Sequence, residues 1–125
     1  MKEGRCLCGA VQYRVKAEPR GASACHCGQC RRQSGHVWAS AHADKAKIEI
    51  EGEVRWYAAS EAAERGFCPA CGSFLFWHAH AEDTMSFSLG SLDDPTGLRL
   101  ERHIFVADKG DYYDVADGLP RWGQS

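Results

Sequence analysis

At 125 residues the chain has the length of one domain, about 100–150 residues, so residues 1–125 are expected to form a single unit whose core is adequate but not large. With 44% hydrophobic and 26% charged residues it is neither disordered nor collagen-like. Its 15 basic and 17 acidic residues, a net charge of −2, leave no basic excess to grip a nucleic acid backbone. No apolar run approaches the ~20 residues of a membrane span, and Met1–Arg5 leads to the first cysteines without an apolar signal segment, so neither a nucleic acid nor a membrane partner is expected and a cytoplasmic location is.

Taken in chain order, the pattern is β-rich. Cys6-Leu7-Cys8 reads as strand, in which residues i and i+2 face one side and present both sulfurs together. Val11–Val15 alternates apolar and polar residues, Lys47–Glu51 does the same, and Gly52-Glu53 turns the chain into Val54–Tyr57. Ala58–Arg65 is alanine-rich and reads equally as a helical turn, a strand or a loop. Phe74–Trp77, Met85–Leu89 and Leu98–Val106 continue the series of short strands. Pro19, Gly21, Gly35, Gly52, Gly90 and the stretch 93–97 punctuate them. With no long helical period, repeat or linker, the pattern reads as one β-rich unit.

The seven cysteines are the unusual feature, and being odd in number they cannot all pair within the chain. They stand as Cys6/Cys8, Cys25/Cys27/Cys30 and Cys68/Cys71. Cysteines this close in sequence are poorly placed to bond each other. They are well placed to chelate, because zinc accepts two thiolates from one tight turn at ~2.3 Å. A structural zinc closes its shell with four protein ligands, whereas a reactive one keeps three and an open position. The two pairs Cys6/Cys8 and Cys68/Cys71 suit the first, and the triplet Cys25, Cys27, Cys30 suits the second. Spacing alone leaves open a histidine as fourth ligand of the triplet. Gly9 and Gly72 follow their pairs and tolerate the positive φ of a knuckle turn, while Pro69 stiffens the second turn. A four-thiolate zinc would tie the start of the chain to its middle and contribute ~10–16 kcal/mol of apparent binding free energy.

Other residues carry weaker signals. Arg31 and Arg32 follow Cys30 and either offset thiolate charge, receive a substrate carboxylate, or form a solvated pair at a turn. His26 stands between two of the triplet cysteines, and strand alternation points it away from their metal into a turn-supporting role. His103 reads as a hydrogen-bonded strand histidine, with proton transfer the alternative. Trp38, Trp56, Trp77, Phe74 and Phe76 read as sheet packing.

The frame Gly4–Tyr13, then Cys25–Gly35, then Phe67–Gly72, with the tail match His103–Val106, Asp114 and Leu119-Pro120, resembles the glutathione-dependent formaldehyde-activating enzymes, whose domain also occurs in centromere protein V. The resemblance implies an all-β fold of small packed antiparallel sheets, a β-tent, with two zinc ions per chain. It assigns Cys6, Cys8, Cys68 and Cys71 to structural zinc and Cys25, Cys27 and Cys30 to a catalytic zinc. The implied activity is that of a zinc-dependent carbon–sulfur lyase, or thiol–aldehyde adduct synthase, with a small thiol such as glutathione and an aldehyde such as formaldehyde as substrates. The alternative is a non-catalytic, zinc-stabilised protein-binding module. A methionine sulfoxide reductase, which has a related zinc-bearing fold, usually uses a late redox-active cysteine, and none follows Cys71.

Overall fold

In a computed structural model that describes residues 1–125, the chain forms ten strands and one short helix. In order these are β1 (Lys2–Arg5), β2 (Gln12–Val15), β3 (Arg20–Cys25), α1 (Gly28–Ser34), β4 (Trp38–Asp44), β5 (Ile48–Glu51), β6 (Arg55–Tyr57), β7 (Ala63–Phe67), β8 (Phe74–Ala79), β9 (Thr84–Ser88) and β10 (Arg102–Ile104). A small sheet runs β1-β2-β5 and a large one β10-β3-β4-β9-β8-β7-β6. Every pairing is antiparallel except that of β10 with β3. The all-β, largely antiparallel expectation therefore holds, with one parallel edge. No helix is long and apolar enough to cross a membrane.

The two sheets meet through the alternating strands. β2 buries Tyr13 and Val15 and exposes Gln12 and Arg14; across from them Ile50 and Ile48 of β5 complete the inner face. Tyr13 sets its ring edge-on to Phe76 of β8 at 5.0 Å and tilts against Phe87 of β9 at 6.0 Å. Ala22, Ala41 and Ala43 of β3 and β4 lie in the same core, and their small side chains leave volume for those aromatics. Cys6 and Cys68 are part of this core as well, so the first metal-ligand candidates sit where the two sheets join.

Several sequence expectations shift by local physics. Cys6 and Cys8 lie just beyond β1, in a turn rather than in a strand. The alanine-rich stretch divides into an irregular segment at 58–62 and β7 from Ala63. Only Arg102–Ile104 of the long strand expected at Leu98–Val106 is paired, because the following residues hydrogen-bond to the C-terminal tail, Phe105 N to Gln124 O (3.3 Å) and Val106 N to Trp122 O (3.0 Å). Within β10, Trp122 N donates to His103 O (2.9 Å) and His103 N to Pro120 O (2.9 Å). That docking brings residues from 113 to 122 onto the back of β3 and β10. The strands β3 and β4 gave no clean two-residue period because the small residues Ala22, Ser23, Ala24 and Ser40, Ala41 are buried in succession. The helix α1 occupies the triplet's own turn, where seven residues (Gly28–Ser34) are too few to show a helical period.

Candidate metal centres and active site

The four-sulfur cluster is made by two matching knuckles. In the first, Cys6 N donates to Val11 O (3.0 Å), Gly9 N to Cys6 O (3.2 Å) and Val11 N to Cys6 Sγ (3.3 Å). In the second, Cys68 N donates to Ser73 O (3.0 Å), Gly72 N to Cys68 O (2.8 Å) and Cys71 N to Cys68 Sγ (3.5 Å). Gly9 and Gly72 take φ of +82° and +80°, the conformation expected of them. Leu7 N donates to Ser73 Oγ (3.0 Å) and pins one knuckle to the other.

The sulfurs of Cys6, Cys8, Cys68 and Cys71 all lie within 4.8 Å of one another. Cys6 Sγ and Cys8 Sγ are 3.7 Å apart and Cys8 Sγ and Cys68 Sγ 3.8 Å. A tetrahedron with bonds of ~2.3 Å has edges of ~3.8 Å, so this donor set fits one zinc-sized ion. The thiol of Cys71 is drawn down to about 5 by the Ser73 hydroxyl, helped by backbone amides of Ser73 and Cys8, which favours the thiolate that a metal requires. None of the seven cysteines forms a disulfide.

The three-sulfur cluster is built on the β3–α1 junction. Cys25 ends β3, Cys27 is the N-cap of α1, and Cys30, in the first turn, points back so that its N–H donates to Cys27 Sγ at 3.3 Å. Their three sulfurs lie within 4.8 Å of one another, and no histidine or carboxylate joins the group. Cys27 is held far below a free thiol's range by the S–H groups of Cys25 and Cys30, then by the backbone amides of Cys30 and Gln29. Cys25 is correspondingly raised, because it is the donor to Cys27. Trp38 pairs with Cys25 in register and stacks on Phe74 at 4.1 Å, walling the cluster with Cys25 and Cys30.

The cation at this cluster is Arg65 of β7, not the arginines that adjoin Cys30 in sequence. Its Nη1 and Nη2 lie 3.7 and 3.8 Å from Cys30 Sγ. Its Nε donates to Gln29 Oε1 (2.9 Å) and its Nη1 to Gln33 Oε1 (3.2 Å), while the guanidinium covers the Phe74 ring at 5.3 Å. Arg65 is 5% exposed, so this charge acts in a medium that screens it weakly. Arg32 is exposed, and Arg31 is half-buried with an Nε that has no partner.

Behind the triplet runs a chain of ring nitrogens. His26, 1% exposed, is hydrogen-bonded through Nδ1 to the Tyr113 hydroxyl and through Nε2 to His103 Nδ1 at 2.9 Å. His103 Nε2 in turn meets Asp117 Oδ2 at 2.7 Å. A carboxylate only accepts, so His103 Nε2 carries a hydrogen, His26 Nε2 donates to His103 Nδ1, and Tyr113 donates to His26. Burial, then the neighbouring His103, keeps His26 below a free histidine's range and thus neutral. Both histidines are therefore buried and hydrogen-bonded, as read for His103. The sequence missed Arg65, Tyr113 and Asp117; Asp114, singled out in the tail, is exposed, and the carboxylate that reaches His103 is three residues further on.

A groove of about 450 Å³ lined by Arg5, Cys6, Ser73, Phe74 and Ser91 among others opens beside the four-sulfur cluster. Phe74, which also packs against Cys25, Cys30 and Trp38, is the wall it shares with the triplet.

Comparison with known proteins agrees with this layout. A family model described as glutathione-dependent formaldehyde-activating enzyme matches residues 1–108. An uncharacterized lyase of Schizosaccharomyces pombe is 28% identical over 92% of this chain and 85% of its own. A Halomonas elongata protein named as a glutathione-dependent formaldehyde-activating enzyme is 32% identical over 90% of this chain and 80% of its own. A crystal structure of a Rhodobacter sphaeroides protein shares the fold with a TM-score of 0.61 at 22% identity, covering 96% of this chain and 98% of that one.

Proposed function

The chain belongs to the glutathione-dependent formaldehyde-activating enzyme family, and from that membership we propose that it is a zinc-dependent carbon–sulfur lyase acting in both directions as a thiol–aldehyde adduct synthase. The substrates are a small thiol, glutathione being the leading case, and formaldehyde. In the forward direction the thiol sulfur attacks the carbonyl carbon, a C–S bond forms, the C=O π pair moves to oxygen, and the proton lost by sulfur ends on that oxygen. The reverse step breaks the same bond. Residues 1–125 act as one domain in the cytoplasm, where thiols stay reduced.

The observation that carries this reading is the contrast between the two clusters. Four sulfurs close one site, while Cys25, Cys27 and Cys30 leave a tetrahedral ion one ligand short. An ion held by these three would supply an open coordination position that polarises a carbonyl oxygen or holds a substrate thiolate. The chain's own residues do the rest. Arg65 offsets the charge of Cys30 from within the protein. Trp38 and Phe74 cover one side of the cluster with apolar surface. Tyr113, His26, His103 and Asp117 fix the segment that carries Cys25 and Cys27. Arg32, exposed on α1, and the half-buried Arg31 beside it present positive charge to a substrate carboxylate. Cys6, Cys8, Cys68 and Cys71 hold a second, structural zinc.

Metal analysis of the reduced protein is expected to give two zinc ions per chain, and exchange spectroscopy to show adduct formation from glutathione and formaldehyde faster than in their uncatalysed mixture. Cys30→Ser should lose one zinc and the turnover while the fold survives; Cys68→Ser should destabilise the whole domain. Equal destabilisation by both substitutions, with turnover retained in Cys30→Ser, would sink the enzyme reading in favour of a binding module.

A further inference from the structure

Outside both cysteine clusters, β7 and β8 bring together two imidazoles and a carboxylate. Glu64 of β7 stands directly opposite His78 of β8, and His80 follows two residues on, on the same face of the chain. The amide of His80 donates to Ala62 O at 2.8 Å, which holds it in line beyond the end of the strand. The side-chain ligand atoms of Glu64, His78 and His80 lie within 4.8 Å of one another. Strand alternation sends Glu64 to the face of β7 opposite Arg65, so this group is separate from the triplet cluster that Arg65 serves.

The state of His78 points to what the group holds. The residue is 7% exposed. Nε2 lies 3.2 Å from the carbonyl oxygen of Glu82, and a carbonyl only accepts, so Nε2 carries the hydrogen. In the neutral ring Nδ1 is then a lone pair. That atom is buried and has no hydrogen-bond partner. Facing it at 3.9 Å is Glu64 Oε1, another acceptor and too distant for a hydrogen bond. Two acceptors that face each other across a gap, one of them buried and unpartnered, call for a cation between them. An imidazole that gives its other N–H to a backbone carbonyl is the usual arrangement of a metal-ligating histidine.

We propose that Glu64, His78 and His80 form a third cation site, which takes a first-row divalent transition-metal ion through two imidazole nitrogens and one carboxylate oxygen. Two imidazoles select zinc-class ions over magnesium or calcium, which prefer all-oxygen shells. Bonds of ~2.0–2.2 Å bring ligand atoms on one ion to within ~4.4 Å, so the group must contract slightly. The exposed His80 and the half-buried Glu64 have the freedom to do so. The thiolate clusters hold zinc more tightly, so this site fills after them.

The test uses full-length protein with both cysteine clusters loaded with zinc and excess metal removed. Calorimetric titration with Zn²⁺ is expected to show one further equivalent, and imidazole ¹⁵N spectra to show His78 Nδ1 and His80 shifting together. His80→Ala, at an exposed position, and Glu64→Gln, which keeps the shape of the side chain, should each weaken that equivalent roughly tenfold or more while retaining two zinc ions and the melting temperature. Mg²⁺ should not compete. The absence of a further equivalent, an equivalent indifferent to both substitutions, or shifts at His36 or His42 instead would overturn the assignment. So would a His78 that takes up a proton at Nδ1 and ignores Zn²⁺.

Discussion

Replacing Arg65 by methionine tests whether the buried guanidinium is part of the triplet centre. Methionine keeps an unbranched apolar side chain and removes the charge, the donors and the guanidinium that lies over the Phe74 ring. Gln29 and Gln33 are exposed, so water replaces their hydrogen bonds to Arg65 and little is lost there. Cys30 is 2% exposed, and its sulfur has no such replacement for Nη1 and Nη2 at 3.7 and 3.8 Å. One hydrogen bond to a charged group contributes ~1.5–3 kcal/mol, which corresponds to roughly 10–150-fold in a binding constant. The general cost of removing a group that supports a metal ligand, about 10–100-fold, is the same size. Arg65→Met should therefore weaken zinc at Cys25, Cys27 and Cys30 by one to two orders of magnitude and leave the other cluster unchanged. A chelator titration that counts bound zinc should split into two steps in the variant, with the weaker one accompanied by loss of turnover. Parallel loss of both ions, or a triplet affinity equal to that of the wild type, would refute the role given to Arg65.

Three further outcomes follow from the same geometry. Phe87→Ala removes a fully buried ring that meets Tyr13 and should cost ~3–5 kcal/mol, read as a lower denaturant midpoint with an unchanged slope; a cost below ~1 kcal/mol would mean the two sheets do not depend on that contact. Complete zinc removal should lower the melting temperature sharply, because binding energies of ~10–16 kcal/mol in small zinc domains are folding energy, and unchanged melting after verified removal would contradict the staple. The third concerns acid. Asp117 is held below the usual carboxylate range by the His103 ring N–H, then by the amide of Leu119. A depressed acid contributes stability above its unfolded pKa of ~3.9 and loses it as the pH falls through the lower folded value. The tail should thus stay docked from neutrality to about pH 4 and loosen only below; a carboxyl ¹³C titration with a midpoint at or above ~3.9 would refute this.

What the sequence disclosed followed its strongest local regularities. The two-residue alternation of Gln12–Val15 and Ile48–Glu51 marked an inner and an outer face, and the cysteine spacing divided into the same four and three that the fold brings together. What stayed hidden depended on distant pairing. Arg65 lies 35 residues from Cys30, and Tyr113 lies 87 residues from His26. Neither is marked by a neighbouring motif; only the strand order and the docking of the tail give them their partners. The short helix escaped notice because its organising feature is a cysteine N-cap rather than an apolar stripe. The parallel contact of β10 with β3 and the bridge from His103 to the tail at Arg121 are equally long-range pairings.

Strand β7 shows how the separate sites depend on one another. Its five residues, Ala63–Phe67, carry Arg65 to the triplet and Glu64 to the opposite face, and the chain passes directly from Phe67 into Cys68. A metal held by the four-sulfur cluster would therefore anchor the C-terminal end of the strand that aims Arg65. Because side chains alternate with a period of two, a slip of one residue at that end would exchange the faces of Glu64 and Arg65. It would put a carboxylate beside the thiolates and remove their cation. The bulge between Gly66 and Phe67 lies next to the anchor, at the place where register is set. The four-sulfur cluster, once loaded, would thus act on the chemistry of the triplet without contributing a ligand to it, by holding one strand in the register that the buried guanidinium requires.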